Sequence, residues 1–311
     1  MRGEPPVGQR HDMLFGATDK TPNLAPGFPA APLTHSAPSH LCPPATEDPR
    51  FFQGAIQWER MAPNPAKRRP VDSDTTEQLA GIQESTRRLL SSAGALTDEQ
   101  AAAPSRLPGW SRGHVLTHVA RNADGLRNLL HWARTGSKTP MYPGGAARNE
   151  AIAAGAGRSA ADLTADLSQS AAAFAAAAAD MPAAAWAAQV ERRGEPFPAR
   201  DILPIRLSEL EFHHVDLGTG YPPGGWPAVF VTDALRRVAV SFAGRPDMTA
   251  CRLVPDGWPD SFLVGPASPD PPELVVRGTP AQLLAWLSGR AAGTGLQVTG
   301  AATAPAPPPW R

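Results

Sequence analysis

The stretch RLSELEFHHVDLGTGY, residues 206–221, places Glu209 and His213 four positions apart. On a helix that spacing projects both side chains from one face, about one turn apart. A carboxylate and an imidazole so placed can close on one divalent cation. His118, in SRGHVLTHVARN, can supply a third donor from a facing helix, the arrangement from which metal sites inside bundles are built. Two imidazoles and one carboxylate suit zinc or another first-row ion, and they leave positions open for water or substrate. Spacing alone leaves rivals. His114 precedes His118 by four, so His114, His118 and His213 form nearly as good a set. Glu211 is two residues from His213 and points elsewhere. His214 is rotated by about 100° from His213, so one of the two is no ligand. Any of these histidines could instead be a surface or satisfied core residue, and Glu209 could pair with Arg206.

The elements that must carry these residues follow from apolar period and punctuation. Asp74 or Thr75 can cap a first helix in which Leu79, Ile82, Leu89 and Leu90 share a face. Ser111 caps a second, with an apolar stripe of Val115, Leu116, Val119, Leu126, Leu129 and Leu130 and a stop at Gly136. A third helix is expected over 159–180, closed by Met181-Pro182. The fourth spans 199–219, ended by Gly220 and Pro222-Pro223, with Pro204 tolerated in its first turn. Four such helices suit a bundle over 73–223. The connection 137–158 reads as a loop at one end; its residues 141–148 are a candidate substrate wall, with Arg148 able to pair a carboxylate. Beyond Pro223 a short helix, strands in MTACRLVPDG, SFLVG and ELVVRG, and a capped helix in TPAQLLAWLSGR predict a small α+β domain over 224–300. The fold class is therefore α+β. Residues 301–311 read as a flexible Pro- and Ala-rich tail.

Residues 1–72 are Pro-dense without apolar period, the pattern of a disordered extension that cannot bury enough surface to offset its ordering entropy. Met61 would serve as a shorter start, and Phe51, Phe52, Ile56 and Trp58 are the one apolar patch there.

Composition removes several function classes. Formal net charge is zero and the basic residues are dispersed, which argues against a nucleic-acid binder. The cluster Lys67-Arg68-Arg69 reads as solvated linker. No apolar stretch reaches membrane-spanning length, and no signal peptide is visible. Two cysteines, Cys42 and Cys251, fit a reducing cytoplasm and exclude thiolate zinc sites. A neutral surface without heptads suggests a monomer.

Three ordered blocks carry a more specific signal: LPGWSRGHVLTHVARNADGLRNLLHWARTG, PMYPGGAARNEAIAAGAGRSAADL and RLSELEFHHVDLGTGY. With VVRGTPAQLLAWLSGR near the C-terminus, they closely resemble the mycothiol-dependent maleylpyruvate isomerases. That family's N-terminal domain belongs to the DinB-like metal-binding four-helix bundle superfamily. The resemblance covers about 74–290 and leaves out 1–72. It implies His118, Glu209 and His213 as metal ligands and a functional arginine in the C-terminal domain, best matched by Arg290, with Arg277 a weaker match. Asp216, three after His213, could hydrogen-bond a ligand imidazole. The implied cofactors are a divalent metal, zinc by preference, and mycothiol. The implied reaction is cis-to-trans isomerisation of maleylpyruvate to fumarylpyruvate, for which a cation can ionise a thiol that otherwise titrates near 8.5. Arg290 or the cation would stabilise the developing enolate. Mycothiol S-transfer on the same scaffold is the nearest alternative; a zinc-binding regulatory module and a metal-free bundle are further ones.

Overall fold

The computed structural model describes residues 71–310 apart from 269 and 271, and the expectations for the extension, including its apolar patch and Met61, lie outside the described residues. Eight α-helices and six strands occur among the described residues: α1 (Val71–Gly94), α2 (Asp98–Ala102), α3 (Arg112–Thr135), α4 (Gly145–Gly155), α5 (Ala160–Ala179), β1 (Gln189–Arg192), β2 (Glu195–Pro198), α6 (Ile202–Leu217), α7 (Ala228–Phe242), β3 (Cys251–Pro255), β4 (Phe262–Val264), β5 (Val275–Gly278), α8 (Pro280–Leu287) and β6 (Gln297–Thr299).

The long helices α1, α3, α5 and α6 make the four-helix bundle. Ser111 caps α3 through the His114 amide, the His114 ring accepts from the Ser111 amide, and Gly136 stops the helix in the left-handed region at φ 74°. Its predicted stripe is fully buried: Val115, Leu116, Val119, Leu126 and Leu129 have no exposed surface. Helix α3 packs on both α5 and α6. Helix α1 lies beside α6 and begins at Val71, so Asp74 and Thr75 fall inside its first turns and are not its cap. α6 ends at Leu217, because Gly218 adopts φ 70°, two residues before the Gly220 stop expected from sequence.

Two connections hold structure that periodicity did not show. The expected loop 137–158 contains the helix α4; the connection ahead of the predicted fourth helix holds a hairpin, β1 paired antiparallel with β2, and the first three residues of that helix's expected span form a short 3₁₀ turn. A four-residue strand holding Pro196 and Pro198 gives no alternating run to read.

The C-terminal layer has a four-stranded sheet in the order β4-β3-β5-β6, with β3 and β5 parallel and the outer pairs antiparallel, packed with α7 and α8. It belongs to the same compact unit as the bundle. The joint is aromatic: Phe212 of α6 meets Trp226, Phe230 and Trp310 edge-on at 5.2–5.6 Å. The tail at 301–310, expected to be free, is instead packed against the fold. Trp310 lies on Phe212, Pro307 is buried, and the Trp286 indole and Arg245 donate to the Pro305 and Pro309 carbonyls. Prolines lack amide donors and so suit a coil whose carbonyls are taken by side chains.

Candidate metal centre

Burial of charge needs compensation, and one place in the bundle concentrates it. His118 on α3 and Glu209 and His213 on α6 are 0%, 5% and 3% exposed. Each offers one donor atom, and these atoms lie within 4.8 Å of one another. His118 Nε2 is 2.9 Å from Glu209 Oε2, and His213 Nε2 is 3.4 Å from the same oxygen. The imidazoles meet edge-on with centroids 4.6 Å apart. Donors on a tetrahedral ion at about 2.0–2.1 Å stand about 3.3 Å from each other, so the cluster fits such an ion with little adjustment. A buried His/Glu/His set of this kind could bind a metal.

The electrostatics agree with a site poised for a cation. Burial alone would raise Glu209, yet the hydrogen bonds and charges of His118 and His213 hold its carboxyl well below the usual carboxylate range. Burial pushes His118 down to about 4, so its ring is neutral at pH 7. For His213, burial is outweighed by Asp216 and Glu209, and its pKa is raised. His213 Nδ1 is 3.0 Å from Asp216 Oδ2, which leaves Nε2 facing Glu209. Such a carboxylate behind a ligand imidazole fixes its tautomer.

Arg290 reaches the centre through this chain. Its Nη2 donates to Asp216 Oδ2 at 2.6 Å, its side chain is 2% exposed, and its guanidinium lies 4.4 Å over the Phe212 ring. Burial favours a neutral Asp216, but Arg290 and His213 prevail and pull its carboxyl down to about 2. Arg277 is exposed on β5 and pairs with Asp256.

The rival residues are placed elsewhere. His114 is held by Ser111 at the α3 cap. Glu211 accepts from Ser85, Arg88 and Tyr221 on the side of α6 that faces α1. His214 is stacked on Tyr221 at 3.9 Å, hydrogen-bonded to Ser92, and pushed down to about 4 by burial. Arg206 does not pair with Glu209; it donates to the Val119 carbonyl and Asn122 Oδ1.

The wall anticipated at 141–148 stands beside the triad. Arg148 Nη2 is 3.1 Å from His118 Nδ1. Tyr142 lies near Arg148 and Glu209, and burial pushes its phenol up to about 12, so it stays protonated. Sequence reasoning missed Arg193, at the tip of the β1–β2 hairpin and within electrostatic reach of both Glu209 and Arg148. The signal was Arg193-Gly194 as a two-residue turn, hidden by the prolines of β2. The single cysteine among the described residues, Cys251, is buried on β3 with its thiol pushed up to about 12, and is no nucleophile.

The profile of the mycothiol maleylpyruvate isomerase N-terminal domain matches residues 82–218, and that of the same family's C-terminal domain matches 225–307. The chain belongs to the mycothiol maleylpyruvate isomerase family. Among solved structures it is similar to one described as the mycothiol-dependent maleylpyruvate isomerase, at 29% identity and a TM-score of 0.68, covering 78% of this chain and 98% of that one. A histidine-to-alanine mutant under the same description matches at 28% identity with the same TM-score and coverage. No curated protein matches the chain by sequence. The two family profiles divide where α6 gives way to α7. Among the described residues no helix is long and apolar enough to cross a membrane.

Proposed function

We propose that this chain is a mycothiol-dependent isomerase that converts maleylpyruvate to fumarylpyruvate, with His118, Glu209 and His213 as the ligands of a divalent cation, zinc by the nature of the donors. The observation that carries the reading is the convergence of these three buried side chains in a chain matched by both domains of the family. A cation held by His118, Glu209 and His213 would lower the pKa of a small thiol from near 8.5, and so would supply a thiolate nucleophile at neutral pH.

The chain's own residues then have distinct tasks. Glu209 brings a full negative charge across the working pH range, because its two imidazole neighbours keep it ionised. Asp216 holds the His213 proton on Nδ1 and turns Nε2 to the centre. Arg290, the functional arginine that the resemblance implies, acts as a positioning residue by pinning Asp216. Tyr142 keeps its proton and can donate it in a hydrogen bond to an oxygen that gains charge on the substrate. The reaction belongs in the cytoplasm, where a small thiol remains reduced.

The test is loss of maleylpyruvate absorbance by the purified full chain, with and without the thiol and a chelator. Turnover that needs the thiol and stops on metal removal is expected. Turnover unaffected by complete metal removal would refute the metal-centred reading, and conjugation of electrophiles without isomerisation would replace it with S-transfer.

A further inference from the structure

We propose that Arg206 is a positioning residue that sets the register between α3 and α6 and so brings His118 level with Glu209. That role rests on the metal-ligand reading of His118, Glu209 and His213.

Two rungs join the helices. In the first, His118 of α3 meets Glu209 of α6 at 2.9 Å. Asn122 stands four residues after His118, and Arg206 three before Glu209, so each shares a helix face with the ligand beside it. These two side chains make the second rung, in which Arg206 Nη1 donates to Asn122 Oδ1 at 3.0 Å. It lies about one turn, roughly 5 Å, along the helices from the first. The same nitrogen donates to the Val119 carbonyl at 2.8 Å, on the residue that follows His118. Nη1 has a proton for each of these acceptors. The guanidinium carbon is 5.8 Å from the centre of the Phe174 ring on α5, so a third helix backs the contact.

Stability does not account for an arginine at this place. Arg206 and Asn122 have no exposed surface. Arg206 Nε and Nη2 and Asn122 Nδ2 have no hydrogen-bond acceptor among the described residues. The partners of Arg206 are a neutral amide and a neutral carbonyl, not a carboxylate. Burial pushes its pKa down to about 10, so it still carries its charge at pH 7. Replacing buried charges by apolar side chains of similar volume is often neutral or stabilising.

What the polar rung supplies is direction. Apolar contacts discriminate little as one helix slides on another, whereas a hydrogen bond weakens steeply away from its preferred distance and angle. A slip of one residue moves a helix by about 1.5 Å, while zinc donors must hold to within about 0.2 Å. Fixing register is the best-attested use of a buried polar group between helices. Asp216 and Arg290 restrain His213 from behind; the Arg206 rung is the matching restraint on His118 and Glu209.

Position and charge act in opposite directions here. The charge of Arg206 repels a cation one turn away, so losing the charge alone would tighten metal binding. Losing the rung should weaken it. The test uses the full chain freed of metal, titrated with zinc against a competing chelator, with a circular dichroism melt of each metal-free protein. Arg206→Met should weaken zinc about 10-fold to 100-fold, the range for groups that support a ligand histidine. Its metal-free melting temperature should be unchanged or higher by up to about 8 °C. Asn122→Leu keeps the charge and the Val119 contact, and should weaken zinc by about 3-fold to 10-fold, the worth of one hydrogen bond. The double variant should bind zinc within about 2-fold of Arg206→Met, because the two side chains act through one contact. The visible spectrum of cobalt(II)-loaded variants should change as the ligands meet the ion at altered angles. Zinc bound by Arg206→Met as tightly as by wild type, or more tightly, overturns the proposal. Losses that simply add in the double variant overturn it too. An Arg206→Met chain that melts well below wild type makes the arginine an ordinary support of the fold, with the same consequence. A wild-type chain that takes up no zinc removes the metal reading itself, whereas variants that bind zinc normally remove only the role of Arg206.

Discussion

Replacing Arg290 by methionine probes the longest chain of inference from the structure. The Arg290–Asp216 pair is 2.6 Å long with side chains 2% and 1% exposed, so removing the guanidinium leaves a carboxylate buried against His213 alone. Breaking a buried pair from one side costs about 3–5 kcal/mol, mostly as the penalty of the abandoned charge. At an unfolding entropy of about 2 cal/mol/K per residue over roughly 240 residues, that lowers the melting temperature by about 6–10 °C. The damage should extend to the metal centre. Asp216 loses the first of the two groups that hold it near 2, and a carboxyl driven up by burial orients His213 poorly. Metal affinity should fall about 10-fold to 100-fold, as for other supporting groups behind a ligand histidine. The assays are circular dichroism melts of metal-free and metal-loaded protein, and chelator competition for the metal. The Arg290→Met, Asp216→Asn double variant should recover part of the lost stability, since the lone charge is gone. Unchanged melting and unchanged metal affinity in Arg290→Met would refute the view that Arg290 acts through Asp216.

Other perturbations test separate parts of the architecture. His118→Ala should lose stoichiometric metal and turnover together, and elemental analysis showing metal retained would remove His118 from the site. Gly125→Ala would bring a Cβ to 2.7 Å from Met141 Cγ and 3.2 Å from Tyr142 Cε1. Overpacking of about 1–3 kcal/mol, eased by about 1 kcal/mol of helix propensity, should yield a mild loss of stability but a clear loss of turnover as Tyr142 is displaced; melting and kinetics on one preparation check this. Metal-free protein should lose stability as pH falls from about 6.5 to 4. His118 and His214 are both held near 4 when folded, so the unfolded chain takes up their protons first. The raised His213 opposes this with a single group. Urea midpoints at pH 7 and pH 5 measure the net effect, and a higher midpoint at pH 5 would contradict it. A second loss should follow between about pH 4 and 2 as Asp216, depressed when folded, is protonated.

Much of the bundle could be read from the chain because its determinants are local. Ser111, Gly136, Ser159 and the Asp180-Met181-Pro182 stop act within one turn of the backbone they cap, and the structure uses them where the residues stand. The β1–β2 hairpin and the ordered path of 301–310 could not be read in this way. The first is a pair of four-residue strands with prolines, and the second is coil secured by contacts with Trp286, Arg245 and Phe212 from other elements.

By itself the sequence determined which face Glu209 and His213 share, since an interval of four on one helix allows no other outcome. Spacing left His114 nearly as good as Glu209 as a partner for His118 and could not say where Arg290 would act. Only the tertiary structure decided those points. Packing of α3 on α6 brings His118 level with Glu209 while Ser111 retains His114, and docking of the C-terminal layer delivers Arg290 to Asp216 across 74 positions of chain. The physical reason is range: caps and periods act over a few residues, whereas a buried cluster of charges exists only once distant segments have excluded water together.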